Sequence, residues 1–318
     1  MQLKLLSLAK GMATFVPGVL RFACGRSFGS DSPRYCYSVW LRHLERIAAC
    51  GLPARFDTVA ELGPGDSLGI GIAAMLSGAR RYVALDAVPF ARVASDIEVF
   101  DQLAALFERR EPLPGPDEYP HIAPDVDSLG FPHELLDPAR LTSALAPERK
   151  RAIRAALAGQ GSDAAAVQYV APWTDAGLVE SESVDLAFSQ AVLEHVDDVA
   201  ATYRALHRWL RPGGIMSHAI DFKSHGLTRD WFGHWTIPAW QWTLVRGRRP
   251  YLINRLPASR HLELLIAAGF EVLLTLRTEA APAPRAALAR EFAAMPDDDL
   301  RASAMFVIAR KPRRSIVP

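Results

Sequence analysis

The sequence predicts an α/β protein: a seven-stranded, mostly parallel sheet with helices on both faces. Two observations support this fold class. Short apolar segments typical of buried strands alternate with longer helical segments, and a tight glycine turn joins the first strand to the next helix. Parallel strands need crossover connections, and helices in those connections cover both faces of the sheet.

Proline and glycine signals fix most element boundaries. The first main helix begins at Ser32-Pro33 and ends before Gly51, and Arg211-Pro212-Gly213-Gly214 is a helix stop followed by a turn. The predicted strands lie at about 57–62, 81–86, 166–170, 184–189, 214–221, 270–276 and 303–310. The predicted helices lie at about 32–50, 67–77, 89–110, 139–145, 147–158, 198–210, 257–268 and 285–294.

The predicted domain organisation is a main domain over 57–318 that follows an N-terminal helical segment over 1–56. Within the N-terminal segment, Tyr35-Cys36-Tyr37 could close over a ligand as a lid. Two irregular insertions interrupt the main domain, a proline-rich one at about 111–148 and a tryptophan-rich one at about 222–256.

Composition excludes several classes of protein. The formal net charge of +1 gives no field to attract nucleic acid, so no nucleic-acid partner is expected. Cys24, Cys36 and Cys50 form no Cys-x-x-Cys pair, which argues against a disulfide framework or a zinc knuckle and favours the cytoplasm. Apolar residues recur at helical spacing in residues 1–24, which predicts a helix packed on the domain, with a peripheral membrane contact as the alternative.

The turn after the first strand carries acids. Glu61 ends the strand, Gly63 and Gly65 form the turn, and Asp66 follows it. Glycines allow close approach to the backbone, and the helix N-terminus offers unpaired N–H groups. Two carboxylates there would repel a pyrophosphate and attract a ligand with an ammonium and a sulfonium. S-adenosylmethionine is such a ligand.

Asp86 ends the second strand, 21 positions after Gly65. A carboxylate at this position can accept hydrogen bonds from both ribose hydroxyls of an adenosine. Aspartate also caps helices well, which is the structural alternative.

A fourth motif follows the strand at 184–189. There the chain reads Leu193-Glu194-His195-Val196 in a short loop before the next helix. With the glycine turn, Asp86 and Arg211-Pro212-Gly213-Gly214, this chain resembles the class I S-adenosylmethionine-dependent methyltransferases, in the broad small-molecule group. The resemblance covers about two thirds of the chain. It implies a Rossmann-like methyltransferase fold, S-adenosylmethionine as cofactor, and methyl transfer to a small-molecule or glycan-like acceptor.

The resemblance also implies roles for individual residues. Glu61, Gly63, Gly65 and Asp66 surround the methionine end of the cofactor, and Asp86 holds the ribose. Ser189 and Gln190 line the floor near the sulfonium, with Glu194 and His195 beyond them toward the acceptor. For the adenine, Trp173 could cover the ring and Asp175 could accept from its amine.

An oxygen or amine acceptor needs a group that takes its proton, and histidine suits that task near neutral pH. His218, Asp221 and His225 lie at the carboxyl end of a predicted central strand, where α/β sheets build their sites. We expect His218 and His225 to be the first candidates for the base. The same three residues could bind a metal, but a hydrogen-bonded structural role is the preferred interpretation, and no metal is predicted.

The tryptophan-rich insertion gives two open interpretations. Its side chains could pack as core beneath an irregular loop, or they could form an aromatic wall for the acceptor. The residues predicted to contact the acceptor in the second case are Trp231, His234, Trp235, Asn254 and Arg255.

Two other functions compete with methyl transfer. A relative could bind the cofactor without turnover. The spacing Gly65-x-x-x-Gly69-x-Gly71 also fits short-chain NAD(P)-dependent oxidoreductases, but those enzymes need a Tyr-x-x-x-Lys pair, and no tyrosine here has lysine at that spacing.

Overall fold

The computed structural model describes residues 4–16, 30, 32–160, 164–173, 175–249 and 252–314. Cys24 and the later part of the predicted helix over 1–24 lie outside the described residues.

The seven-stranded sheet confirms the predicted fold class. Its order is β3-β2-β1-β4-β5-β7-β6, with β7 antiparallel to both of its neighbours and the other pairs parallel. The strands are β1 (Thr58–Leu62), β2 (Arg81–Leu85), β3 (Val167–Val170), β4 (Val184–Gln190), β5 (Leu210–Asp221), β6 (Glu271–Glu279) and β7 (Ala302–Arg310).

Most predicted helices are present. The observed helices are α1 (Leu5–Ala13), α2 (Pro33–Ala49), α3 (Gly69–Leu76), α4 (Val93–Arg109), α5 (Pro138–Ala144), α6 (Pro147–Leu157), α7 (Val199–Trp209), α8 (Ala239–Arg246) and α9 (Ala258–Ala267). The pattern missed α8, which lies inside the second insertion.

The predicted helix at 285–294 is wrong. The segment forms two short 3₁₀ turns, Arg285–Ala287 and Arg290–Phe292. Backbone N–H groups here bond outward, Ala283 to the carbonyl of Leu300 and Ala289 to that of Trp235. Because these donors serve neighbouring segments, they cannot form a helical ladder.

The chain direction along the sheet reverses at β1. β2 pairs with one edge of β1 and β4 pairs with the other, so the crossovers after β1 and β4 leave in opposite directions. Such a point opens a crevice beyond the carboxyl ends of the strands. The functional residues discussed below lie at this edge.

The two faces of the sheet bury different side chains. Val59, Tyr82 and Ala84 face a core formed with α2, α3 and α4, whereas Ala60 and Leu62 face the core on the side of α7 and α9. Because α2 packs in the same core as α3, the predicted boundary at residue 56 does not separate an independent packing unit among the described residues.

Helix α1 packs against α8, as the first interpretation of residues 1–24 predicts. A Cβ on Gly11 would lie 2.2 Å from the carbonyl oxygen of Leu244, so the two helices are in backbone contact. Leu5 and Leu6 stay exposed on the outer side of α1. Among the helices that the structure describes, none is long and apolar enough to cross a membrane.

Strand alternation places Glu61 on the face covered by α3, which corrects its predicted position beside a ligand. Glu61 is 1% exposed and accepts a hydrogen bond from the hydroxyl of Tyr82. Gly71 of α3 lies directly over the Tyr82 ring, since a Cβ there would be 2.0 Å from it. Burial raises the pKa of Glu61 to about 8.

This pKa predicts a pH-dependent stability. Between pH 4.5, the ordinary value, and about 8, folded Glu61 binds more protons than unfolded Glu61. Its contribution to the free energy of unfolding therefore falls as pH rises through that range. Glu61→Gln keeps an acceptor for Tyr82 and removes the titration. We expect its stability relative to wild type to rise by on the order of a few kcal/mol between pH 5 and pH 8.

Urea denaturation of both proteins across this pH range measures the effect. The matched control is Glu134→Gln, at an exposed glutamate, which should follow the wild-type curve. Parallel curves for wild type and Glu61→Gln would show that the Glu61 carboxyl ionises normally.

Candidate active site

A cavity of about 690 Å³ opens at the carboxyl ends of β1, β2 and β4. Its walls come from the turn after β1, the end of β2, the loop after β3 and the loop after β4. The lining residues that matter below are Tyr35, Gly63, Gly65, Asp86, Trp173, Gln190, His195, Asp197 and His225.

The turn after β1 depends on two glycines in the left-handed region. Gly63 has φ 63° and Gly65 has φ 75°, which glycine adopts without steric cost. A Cβ on Gly63 would also lie 2.6 Å from the side chain of Val192 in the loop after β4. The backbone N–H of Gly63 donates to the carbonyl of Leu85 at 2.8 Å, so the turn is tied to the end of β2.

Asp86 lies at the wall of the cavity, as predicted from its position after β2. Its carboxylate accepts from the backbone N–H of Gly65 at 3.2 Å and of Ala87 at 2.6 Å. Burial raises the pKa of Asp86, a nearby charge on Asp66 adds to this, and the backbone donors oppose it. Asp66 itself lies outside the cavity lining, with its backbone N–H donating to Ser30 Oγ at 2.8 Å.

Of the two residues predicted near the adenine, only one lines the cavity. Trp173 lines the cavity, and its ring packs edge to face on Trp209 with centroids 5.5 Å apart. Asp175 is exposed outside the cavity, where its side chain accepts from the backbone N–H of Gly177 at 2.8 Å. The structure therefore corrects the predicted adenine contact of Asp175.

Ser189 and Gln190, the last two residues of β4, differ in their access to the cavity. Gln190 lines the cavity, and its side chain is fixed by His43 Nε2 at 3.2 Å and by donation to the carbonyl of Ala123 at 2.9 Å. Ser189 is fully buried behind it, with Oγ 2.7 Å from His218 Nδ1. The supporting residue His43 was not predicted, because it lies on α2, far from Gln190 in sequence.

His218 does not reach the cavity, which corrects its first rank as the base. The side chain is fully buried between strands, and burial lowers its pKa to about 3. His225 lines the cavity, with a left-handed backbone at φ 48°. Burial lowers its pKa too, although Asp221 acts in the opposite direction.

His225 and the loop after β4 bring four polar side chains together. The Nε2 atom of His225 is 4.0 Å from Glu194 Oε1 and 3.9 Å from Asp221 Oδ2. The His225 ring packs edge to face on the His195 ring, with centroids 4.8 Å apart. Burial raises the pKa of Glu194 well above its usual range. The spacing of Leu193-Glu194-His195 did not predict this convergence with His225.

Of the two interpretations of the tryptophan-rich segment, the structure favours packing as core over an aromatic wall, although Trp240 stays exposed. Trp235 is fully buried, and its indole N–H donates to the carbonyl of Arg255 at 3.0 Å. His234 is 1% exposed, and the indole N–H of Trp231 donates to the carbonyl of Ala281. None of the three belongs to the lining of the cavity.

Asn254 and Arg255 hold the structure together instead of facing an acceptor. The side-chain amide of Asn254 donates to the carbonyls of Leu193 and Val196 at 2.7 and 2.9 Å, which braces the loop that carries Glu194 and His195. The guanidinium of Arg255 lies 4.6 Å from the Trp242 ring centre and donates to the carbonyl of Ile237 at 2.7 Å.

Of the three residues predicted to form a lid, one lines the cavity and two are buried in the core. Tyr35 lines the cavity, and its ring packs edge to face on Tyr119. Cys36 and Tyr37 are fully buried in the core, where the hydroxyl of Tyr37 donates to the carbonyl of Glu111 at 2.6 Å.

Comparison with known proteins adds a family match. A family model described as a methyltransferase domain matches residues 129–217, from the first insertion through β3 and β4 into β5. No curated protein matches the chain.

Several solved structures are similar at low identity. An S-adenosylmethionine-dependent methyltransferase from Mesorhizobium loti is 16% identical with a TM-score of 0.40, covering 83% of this chain and 95% of that one. Phosphoethanolamine N-methyltransferase 2 from Haemonchus contortus, in complex with S-adenosyl-L-methionine, is 17% identical with a TM-score of 0.41, covering 86% and 53%. Values this low carry no information about the acceptor.

The family match includes β3, β4 and the start of β5, and β4 is the strand within it that borders the cavity. Over residues 129–217 the chain is therefore similar to a methyltransferase domain, and its sheet is the one expected for the predicted fold.

Proposed function

We propose that this enzyme methylates a small polar acceptor, which binds beside His195 and His225 at one end of the cavity while the cofactor occupies the other. One observation carries the proposal: a single cavity joins Asp86 and Trp173 to Gln190, His195 and His225. The first pair suits a nucleoside, and the second group suits a polar nucleophile.

The charge of the cavity supports a cationic cofactor. The acids among its described lining residues are Asp86 and Asp197, and no lysine or arginine lines it. Asp197 is paired with Arg246, so Asp86 supplies the negative charge that would repel a pyrophosphate and stabilise a sulfonium or an ammonium. The electrostatic preference that the sequence analysis assigned to Glu61 and Asp66 therefore comes from Asp86.

Individual residues would divide the work of holding the cofactor. The carboxylate of Asp86 would accept from the ribose hydroxyls, and the face of Trp173 would cover the adenine. The left-handed turn at Gly63 and Gly65 would let the methionine end approach the backbone closely.

The volume of the cavity supports a small acceptor. At about 690 Å³ it lies within the range of small-molecule sites, and the cofactor takes part of that space. The aromatic wall that would have suited a glycan is buried as core, so the glycan-like alternative loses its support.

Methyl transfer requires the protein mainly to align the acceptor with the methyl group. The sulfonium of S-adenosylmethionine supplies an activated methyl group, and the protein must hold the nucleophile in line and exclude water. Gln190 is held rigidly by His43 and Ala123, which suits it to orient the acceptor. The lowered pKa of His225 keeps its imidazole neutral at pH 7, able to accept a hydrogen bond from an acceptor hydroxyl or amine.

The cofactor assignment predicts different effects at two aspartates. Asp86→Asn should weaken S-adenosylhomocysteine binding by about 1–3 kcal/mol, because a hydrogen bond to a charged acceptor is lost. Asp175→Asn, at the exposed aspartate outside the cavity, should leave the dissociation constant unchanged. Isothermal titration calorimetry measures both. A larger loss at Asp175 than at Asp86 would reverse the assignment.

The acceptor assignment predicts where the methyl group goes. With radiolabelled S-adenosylmethionine and a cell extract, we expect label in the low-molecular-mass fraction and little in that fraction with Asp86→Asn. Label confined to protein or nucleic acid would refute a small acceptor. No label in any fraction would favour a cofactor-binding relative without turnover.

A further inference from the structure

Three polar side chains converge where the loops after β4 and β5 meet. Glu194, His195 and His225 each place a carboxylate oxygen or an imidazole nitrogen within 4.8 Å of those of the other two. His195 and His225 line the cavity, and Glu194 lies beneath them. The three residues come from two separate loops, so their meeting is a product of the fold.

The environment of Glu194 points to a missing ligand. The residue is 3% exposed, and neither carboxylate oxygen has a hydrogen-bond partner in the described part of the chain. The backbone N–H groups of Glu194 and Asp221 lower the pKa of the Glu194 carboxyl, but they do not form hydrogen bonds with it and do not offset its burial. Burying a carboxylate without a partner costs several kcal/mol when it is ionised. The charge of Lys223 relieves only a small part of this cost, because its ammonium pairs with Asp221 at 3.3 Å.

We propose that Glu194, His195 and His225 bind one divalent first-row transition-metal ion, of the type of Zn²⁺, Co²⁺ or Mn²⁺. Two imidazoles and one carboxylate are a donor set that such ions bind well, whereas Mg²⁺ and Ca²⁺ prefer oxygen ligands alone. Bonds of about 2.0–2.2 Å place ligand atoms about 3–4 Å apart, so the two loops need to close by about 1 Å.

The surroundings of the cluster suit a metal site. Asn254 braces the backbone on both sides of Glu194 and His195, through the carbonyls of Leu193 and Val196. Asp221 Oδ2 lies 3.9 Å from His225 Nε2 and adds negative charge beside the ring.

The role of the ion rests on the proposed function. Three protein ligands leave coordination positions open, and the two histidines face the acceptor end of the cavity. With the ion bound, the His225 nitrogen would be a metal ligand instead of a hydrogen-bond acceptor, and a hydroxyl oxygen of the acceptor on the ion would lose its proton to solvent more easily. That oxygen then bonds to the methyl carbon as the carbon–sulfur bond of the sulfonium breaks, which leaves S-adenosylhomocysteine. The acceptor class is therefore a small hydroxylated molecule.

The test is a titration of the full chain with Co²⁺ after removal of metals by a chelator. Visible absorption should report one Co²⁺ per chain. Glu194→Gln and His225→Ala should each weaken binding at least about tenfold. His225 is partly exposed, so its replacement tests the proposal even if Glu194→Gln fails to fold. Both variants should retain their affinity for S-adenosylhomocysteine.

Matched controls are Glu134→Gln and His121→Ala, at exposed residues outside the cavity, which should bind Co²⁺ like wild type. No saturable Co²⁺ or Zn²⁺ binding by wild type, or unchanged binding by both site variants, would overturn the proposal. The titration contains neither cofactor nor acceptor. Intact metal binding without methyl transfer would therefore reject the proposed function alone, and methyl transfer without metal binding would reject the metal site alone.

Discussion

The functional edge of the sheet depends on the Asp86 carboxylate. It accepts the backbone N–H of Gly65 at 3.2 Å and that of Ala87 at 2.6 Å, which ties the turn after β1 to the end of β2. The same carboxylate faces a cavity whose lining, among the described residues, contains no lysine or arginine. One side chain therefore both fixes the shape of the turn and sets the charge that a ligand meets. A cationic nucleoside fits this arrangement, and a pyrophosphate does not.

Much of the fold could be predicted from the sequence because its signals are local. Ser32-Pro33 and Gly51 bound α2, and the positions of Gly63, Gly65 and Asp86 follow from a strand, a turn and a strand in succession. The family motifs could be read for the same reason, since each lies within a few residues. Local signals failed at 285–294, where backbone donors bond to distant carbonyls of Leu300 and Trp235.

The site was predicted less completely, because the direction of a side chain and its burial depend on packing between distant segments. Glu61 is next to the glycine turn in sequence but faces the opposite side, toward Tyr82. His218 and Trp235 have the right chemistry for a site and are fully buried as structure. The convergence of Glu194 and His195 with His225 spans the crossover from β4 to β5, so spacing alone could not reveal it.

The most direct measurement is a crystal structure of the protein with S-adenosylhomocysteine. We predict the ribose hydroxyls within about 3 Å of the Asp86 carboxylate, the adenine against Trp173, and the sulfur directed toward Gln190 and His195. A ligand bound elsewhere, or one whose ribose makes no contact with Asp86, would contradict the account.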